Sequence, residues 1–453
     1  MSVSAFERKV LPGLAAFGFF MQALDATILN TALPTMARAL GESPLQMQTV
    51  VIAYVLTVAL LIPAPGWLAD RFGTRTVYLW AIVLFTLGSL ACALSPTLPA
   101  LVAARVLQGI GGALLVPVGR LAVLRVFQGS ELLRAMSFVT IPGLVGPLIG
   151  PALGGWLVEV ASWHWVFFIN LPVGVLGLLV CWRFMPDLRQ ETRRFDWQGF
   201  ILFSLGLVLA SLGLQGMGER SFSLGISLLM LLAGLAAMAG YWLYAARAER
   251  PLFALSLFAT PTFAIGILGN LFARLGSGAM PFLTPLFLQL GLGFSPSKAG
   301  LTMIPTVLGA MLTKTLVNRL IPRLGYRRIL IGNTLLLGVM MGAFSLIDNR
   351  WPYWALVGWM GIFGALNSLQ FSAMNTLTLK DLGPEQASGG NSLLSVVMQL
   401  AMSMGIAVAA SLLNLFHGGQ TEWLPTFHVT YLCVGAMSML AALIFYLLDQ
   451  IRN

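Results

Sequence analysis

Runs of roughly twenty mostly apolar residues, long enough to cross a hydrocarbon core of about 30 Å as helices, follow one another along this whole sequence. No other feature limits the fold so tightly. Of the 453 residues, 58% are hydrophobic and 9% charged, against about 25% charged in a soluble domain. So few charges cannot coat a water-facing surface, so the apolar side chains must face lipid. In lipid every backbone polar group needs an internal partner, which leaves helices or closed barrels. Barrel strands would alternate polar and apolar residues over about ten positions, and these runs do not. The sequence predicts an all-α polytopic membrane protein.

The runs place candidate spans at 11–37, 47–69, 76–94, 98–124, 134–160, 164–183, 196–214, 222–246, 259–290, 296–320, 327–347, 351–379, 384–416 and 424–449, about fourteen in all. The first follows Arg8 and Lys9 like a signal peptide, but it is too long and carries Asp25 in its middle, so it reads as a retained helix. With the N-terminus inside, the inner loops and ends hold most of the basic residues. These include Arg71, Arg75, Arg125, Arg183, Arg189, Arg247, Arg323, Arg327 and Lys380, while the outer loops hold Arg38, Arg220, Lys298 and Arg350. The net charge of +10 therefore reads as membrane orientation with both termini cytoplasmic, and not as nucleic-acid binding.

The chain repeats itself at an offset of 252. Leu40-Gly41-Glu42-Ser43-Pro44 returns as Leu292-Gly293-Phe294-Ser295-Pro296. Arg71, Gly73 and Arg75 match Arg323, Gly325 and Arg327, and Gly109, Gly112 and Ala113 match Gly361, Gly364 and Ala365. Parallel repeats of this kind mark transporters built from two halves. The reading is a six-helix bundle over 1–183, a linker with two additional helices over 184–257, and a second six-helix bundle over 258–453.

Four stretches carry chemistry. The loop after the second span reads GWLADRFGTRTV. Gly66 and Gly73 would allow tight packing and a sharp turn. Asp70, with Arg71 and Arg75 beside it, can pair with an arginine and latch one conformation; Arg120 and Arg125 are the candidate partners, and a solvated loop is the plainer alternative. The fourth span holds ARVLQGIGGAL, in which Arg105 is an intramembrane charge and hence a functional candidate, unless it snorkels outward. The fifth holds GLVGPLIGPALGG. Gly146, Gly150 and Gly154 form a smooth stripe, while Pro147 and Pro151 remove backbone donors and favour a bend. A packing seam alone would look the same. The first span holds LDATILNTALP, whose Asp25 is suited to carry a proton. A fixed ion pair with Arg105 is the competing reading. Glu159, near the outer end of the fifth span, is less suited.

These motifs resemble those of the major facilitator superfamily. GPLIGPALGG is similar to the helix motif of its antiporters, and LDATILNTALP, WHWVFFINLPVG and the span count resemble its fourteen-helix drug/proton antiporter branch. The resemblance implies two six-helix bundles around a cavity open to each side in turn. It implies export of small molecules driven by the proton gradient, without a cofactor, by a monomer in a bacterial inner membrane. Asp25 and Arg105 would couple protons. Gly66, Asp70, Arg71, Gly73, Arg75 and Arg120 would form the latch, and Gly146, Pro147, Gly150, Pro151 and Gly154 the antiporter bend. The second-half loop NRLIPRLGYRR lacks the aspartate, with Pro322 opposite Asp70, so the latch is expected chiefly in the first half.

The remaining charges bear on cargo. Arg274 and Lys314 lie within spans of the second half, and with Arg105 and Arg120 they outnumber Asp25. If Arg274 and Lys314 line a cavity with Gln289, Asn367 and Gln370, it is electropositive and suits an anionic or chelated solute. They could instead meet backbone carbonyls, snorkel, or cross-link helices. An importing facilitator or symporter is the alternative function. An enzyme is disfavoured: the three histidines form no HExxH, and Cys92, Cys181 and Cys433 form no CxxC or metal-like cluster.

Overall fold

A computed structural model describes residues 4–190, 194–219, 223–419 and 421–446. Among the described residues its regular secondary structure is helical, without strands. In the first half, Ala5–Ile28 is α1, Leu33–Leu40 α2, Gln48–Leu61 α3, Ala64–Phe72 α4, Thr74–Ala93 α5, Leu98–Val126 α6, Gly129–Val160 α7, Trp165–Phe168 α8 and Asn170–Phe184 α9. Trp197–Glu219 is α10 and Leu224–Ala245 is α11. Then come α12 (Pro261–Ser277), α13 (Met280–Leu286), α14 (Pro296–Ala343), α15 (Tyr353–Leu379), α16 (Pro384–His417), α17 (Leu424–Leu440) and α18 (Ala442–Tyr446).

Eleven helices among the described residues are long and apolar enough to cross a membrane, or twelve when the bent pair α3 and α4 counts as one. Two further segments are long enough but more polar. One is 296–324, the arm of α14 before its break at Gly325, which carries Lys298, Lys314, Arg319 and Arg323. The other is α15, with Asn367, Gln370, Asn375 and several hydroxyl residues. The expected count of fourteen is reached only if both of these also cross; eleven or twelve among the described residues meet the length and polarity that a span requires.

The repeat is visible in the backbone. Gly41 and Gly293 end their helical segments at φ 70° and 69°. Gly73 and Gly325 break theirs at φ 92°, ψ 147° and φ 77°, ψ 156°, a region that is essentially glycine-only. Helix crossings repeat as well. In α6, Gly109 lies against Thr57 and Gly112 against Tyr54; in α15, Gly361 lies against Gly309 and Gly364 against Thr306. Each pair is shifted by the same 252 positions, so one helix crossing has been built twice.

Contacts divide the chain into two compact units, Met1–Phe195 with Ser295–Leu301, and Asp196–Phe294 with Thr302–Asn453. The added pair α10 and α11 thus groups with the second-half helices, with α10 packed on α16. Asp196 fastens the pair: its carboxylate accepts from the Gly199 amide at 2.8 Å, the Tyr244 hydroxyl at 2.7 Å and the Leu252 amide at 2.8 Å.

Candidate functional site

In the first unit α1, α5, α6 and α9 meet around one buried carboxylate. Asp25 is 1% exposed and Arg105 likewise 1%. Arg105 Nη1 donates to Asp25 Oδ2 at 2.7 Å and to Gln108 Oε1 at 2.7 Å, and Nε donates to the Val50 carbonyl at 3.3 Å. The guanidinium lies 4.3 Å from the Tyr54 ring centroid. The other carboxylate oxygen accepts from Gln108 Nε2 at 2.7 Å and Asn170 Nδ2 at 3.2 Å. Both amides also donate to Ser89 Oγ, at 2.7 and 3.0 Å. Arg105 is therefore held in the helix core and does not snorkel.

Small residues make this meeting possible. A Cβ at Gly88 would lie 2.5 Å from the Gln108 backbone, and one at Gly111 would collide with Phe85. The α7 stripe seats α1 in the same way: a Cβ at Gly146 would lie 2.7 Å from the Leu24 amide, and those at Gly150 and Gly154 would strike Thr27 and the Ile28 carbonyl. Thr31 Oγ1 donates to the Pro151 carbonyl at 2.9 Å. The stripe thus packs against residues flanking Asp25. α7 continues as one helix through Pro142, Pro147 and Pro151.

A second cluster sits at the α4–α5 junction. Asp70 forms an ion pair with Arg125, whose Nη1 also donates to the Leu188 carbonyl at 3.3 Å. Of the two candidate partners, Arg120 is exposed and Arg125 makes the pair, so Arg120 drops out of the latch. Arg71 is exposed and lies 5.4 Å from the Trp67 ring centroid. Arg75 Nε donates to the Met185 carbonyl and its Nη2 reaches Glu7 at 3.5 Å. Gly73 is needed, for its φ and because a Cβ there would run into the Asp187 carboxylate. Gly66 is not: it is exposed, with open space where a Cβ would stand.

The Major Facilitator Superfamily profile matches residues 15–279 and again 266–452, which together span both copies of the repeat. The chain belongs to the major facilitator superfamily. The chain is 52% identical over 441 residues to the "Putative multidrug resistance protein MdtD" of Pectobacterium carotovorum subsp. carotovorum (strain PC1), covering 95% of this chain and 94% of that one. It is 53% identical over 438 residues to the protein of that name from Cronobacter sakazakii (strain ATCC BAA-894), covering 95% and 93%. Its fold resembles that of a POT family transporter solved with 5-aminolevulinic acid, with a TM-score of 0.73 at 16% identity over 96% of this chain and 95% of that one. It also resembles a mutant of the nucleoside transporter NupG, with a TM-score of 0.69 at 14% identity over 96% and 99%. It is a multi-pass membrane transport protein.

The second unit holds the remaining sequence candidates. Arg274 on α12 donates from Nε to Asn270 Oδ1 at 3.2 Å and stacks 4.1 Å from the Phe371 centroid, while Nη2 is buried with no hydrogen-bond partner. Gln370 is a cross-link and not a lining residue. At 2% exposure it accepts from Asn333 Nδ2 at 2.8 Å and donates to Thr334 at 2.6 Å, tying α15 to α14. Gln289 and Asn367 are half-buried. The side chain of Lys314 lies outside the described residues. Gln108, Ser89 and Asn170 complete the first cluster and are not among the sequence candidates. Their one sequence signal is a polar residue at helical spacing from a motif charge or inside an apolar run.

Proposed function

We propose that this protein is a proton-coupled exporter of small molecules in the cytoplasmic membrane, acting as a monomer by alternating access. The observation that carries the reading is the Asp25–Arg105 ion pair, closed off by Gln108 and Asn170 and 1% exposed. A buried pair is retained against a large desolvation cost, and an intramembrane charge is a functional hypothesis by default. A proton taken up by Asp25 removes the countercharge of Arg105 and turns an acceptor oxygen into a donor. The three groups bonded to it, Arg105, Gln108 and Asn170, must then rearrange, and that rearrangement is the coupling step. The α7 stripe, seated on the Asp25 helix, supports exchange over simple passage because α7 cannot shift without moving α1. The basic residues of the inner loops support cytoplasmic termini.

Arg274 supports an anionic or chelated cargo, since a buried guanidinium nitrogen without a partner is a ready anion ligand. The test is reconstitution in liposomes with an imposed pH gradient and a panel of anionic, neutral and cationic solutes. Solute-dependent proton movement, lost in Asp25→Asn, is the expected result. Unchanged coupling in that variant would remove Asp25 from the mechanism, and export of cationic dyes alone would sink the anionic cargo. Uptake by cells in place of accumulation in inverted vesicles would favour the importing alternative.

A further inference from the structure

The two clusters of the first unit are joined by one element. α9 begins at Asn170, whose amide holds Asp25, and ends at Phe184. Its fifteen residues make a rod of about 22 Å. Pro186 forces Met185 out of the helical region, to φ −73°, ψ 125°. The chain then runs extended across the latch. Thr74, 0% exposed, grips it from both sides: Oγ1 donates to the Pro186 carbonyl at 2.8 Å and accepts from the Leu188 amide at 3.0 Å, while its own amide donates to the Leu188 carbonyl at 3.1 Å. Arg75 holds the Met185 carbonyl, and Arg125 holds the Leu188 carbonyl with the guanidinium that also pairs with Asp70. Between these contacts the Asp187 carboxylate fills the space left by Gly73.

Among the described residues the second half shows none of these contacts. Gly325 has nearly the backbone angles of Gly73 but open space beside it, and the counterparts of Thr74, Asp70 and Arg125 are Tyr326, Pro322 and Leu377. Among the described residues the strap belongs to the half that carries Asp25.

We propose that α9 and the strap at 185–188 carry the protonation state of Asp25 to the Asp70–Arg125 latch, with Asn170 and Thr74 as the positioning residues at the two ends. The link rests on Asp25 as the proton carrier. The groups facing that carboxylate are Arg105 from α6, the Tyr54 ring from α3, the Cys92 thiol from α5, and the neutral side chains of Gln108, Ser89 and Asn170. Asn170 alone brings α9 into the set. When the carboxylate is neutralised the amide loses its charge-assisted bond, α9 is freed at that end, and the strap loosens at the other. Coupling between two sites is reciprocal, so a change at the strap must return to Asp25 by the same factor.

Hydrogen exchange of the full-length protein in nanodiscs, read at the amides of Thr74 and Leu188, tests this. D25N is expected to raise exchange at both about tenfold while leaving the α10–α11 pair unchanged. In an N170V background D25N should add less than twofold, and N170Q should restore the response. Equal strap exchange in wild type and D25N, or a full D25N effect in N170V, overturns the proposal. If N170V does not fold, the reciprocal measurement decides. With carboxyl protonation followed by infrared titration, Asp25 must take its proton about tenfold more readily in T74V, whereas T74S stays at the wild-type value. An unmoved midpoint in T74V overturns the link. Failure of the exporter reading looks different: proton movement in liposomes would be insensitive to D25N even where strap exchange responds.

Discussion

Gly73 and Asp187 occupy one space: the carboxylate stands where any larger residue at position 73 would put its Cβ. Gly325 has a similar backbone without such a neighbour among the described residues. An L-residue in this region costs about 1–3 kcal/mol, so both G73A and G325A lose stability. G73A should lose more, because it also expels Asp187. The D187A/G73A double variant should recover that difference and no more. Thermal unfolding of the three purified variants beside the wild type in detergent checks it, and equal losses in G73A and G325A would show that the carboxylate gives way freely.

The Asp25–Arg105 pair predicts a non-additive pattern. Removing one partner of a buried pair leaves an uncompensated charge and costs about 3–5 kcal/mol. R105Q should therefore be strongly destabilised, with D25N less so because its amide can still bond. D25N/R105Q should regain much of the loss in R105Q while remaining inactive in proton-coupled transport. Thermal midpoints give the cycle. Additive losses would mean that the two side chains, 2.7 Å apart, are energetically independent.

Much of this was legible in the sequence because the motifs are local and the apolar runs are long. Asp25 and Arg105 stood out as charges within spans, and the 252 offset carried the repeat. What failed needed the third dimension. Arg120 and Arg125 are five residues apart on α6, nearly a turn and a half, so they point to different sides, and only contact with α4 chooses Arg125. Gln370 looked like a cavity residue because a polar side chain on an apolar helix can face water or another polar group. Its partners Asn333 and Thr334 lie on α14, and nothing local to either helix announces the pairing. The sequence shows the strap only as the start of the linker at 184–257, because its contacts are made by backbone carbonyls, which any sequence possesses.

Latch substitutions should separate the two arginines. R125Q removes the partner of Asp70 and one hold on the strap, and solute-driven proton movement should fall at least tenfold. R120Q touches an exposed side chain and should stay within twofold. Initial rates in proteoliposomes at matched protein density check this. A larger effect from R120Q would restore it as the latch partner.

The α7 stripe predicts different tolerances along one helix. A Cβ at Gly154 meets the Ile28 carbonyl and lies 2.8 Å from Thr31 Oγ1, and the backbone cannot step aside. G154A should cost about 1–3 kcal/mol and reduce coupled transport more than tenfold. At Gly143 the obstacle is the ring of Phe19, which can rotate, so G143A should stay within about twofold. Wild-type coupling in G154A would mean that α7 and α1 need not stay in contact during the cycle.

Arg274 separates stability from cargo recognition. Its Nη2 is buried without a hydrogen-bond partner, while the rest of the guanidinium meets neutral Asn270 and the Phe371 ring. A charge kept there for stability would cost stability when removed. A charge kept to meet an anion does the opposite, because the desolvation cost is present in the empty protein and is offset only by the ligand. R274Q should therefore unfold at the wild-type temperature or slightly above it. Its KM for an anionic solute should rise at least tenfold, with neutral solutes unaffected. R274K keeps the charge but loses the planar fork and the stacking on Phe371, so it should fall between the two. Thermal midpoints and concentration-dependent uptake into proteoliposomes measure both sides. A marked loss of stability in R274Q, with anion transport intact, would make the residue a structural cation and leave the cargo's charge to be sought elsewhere in the protein.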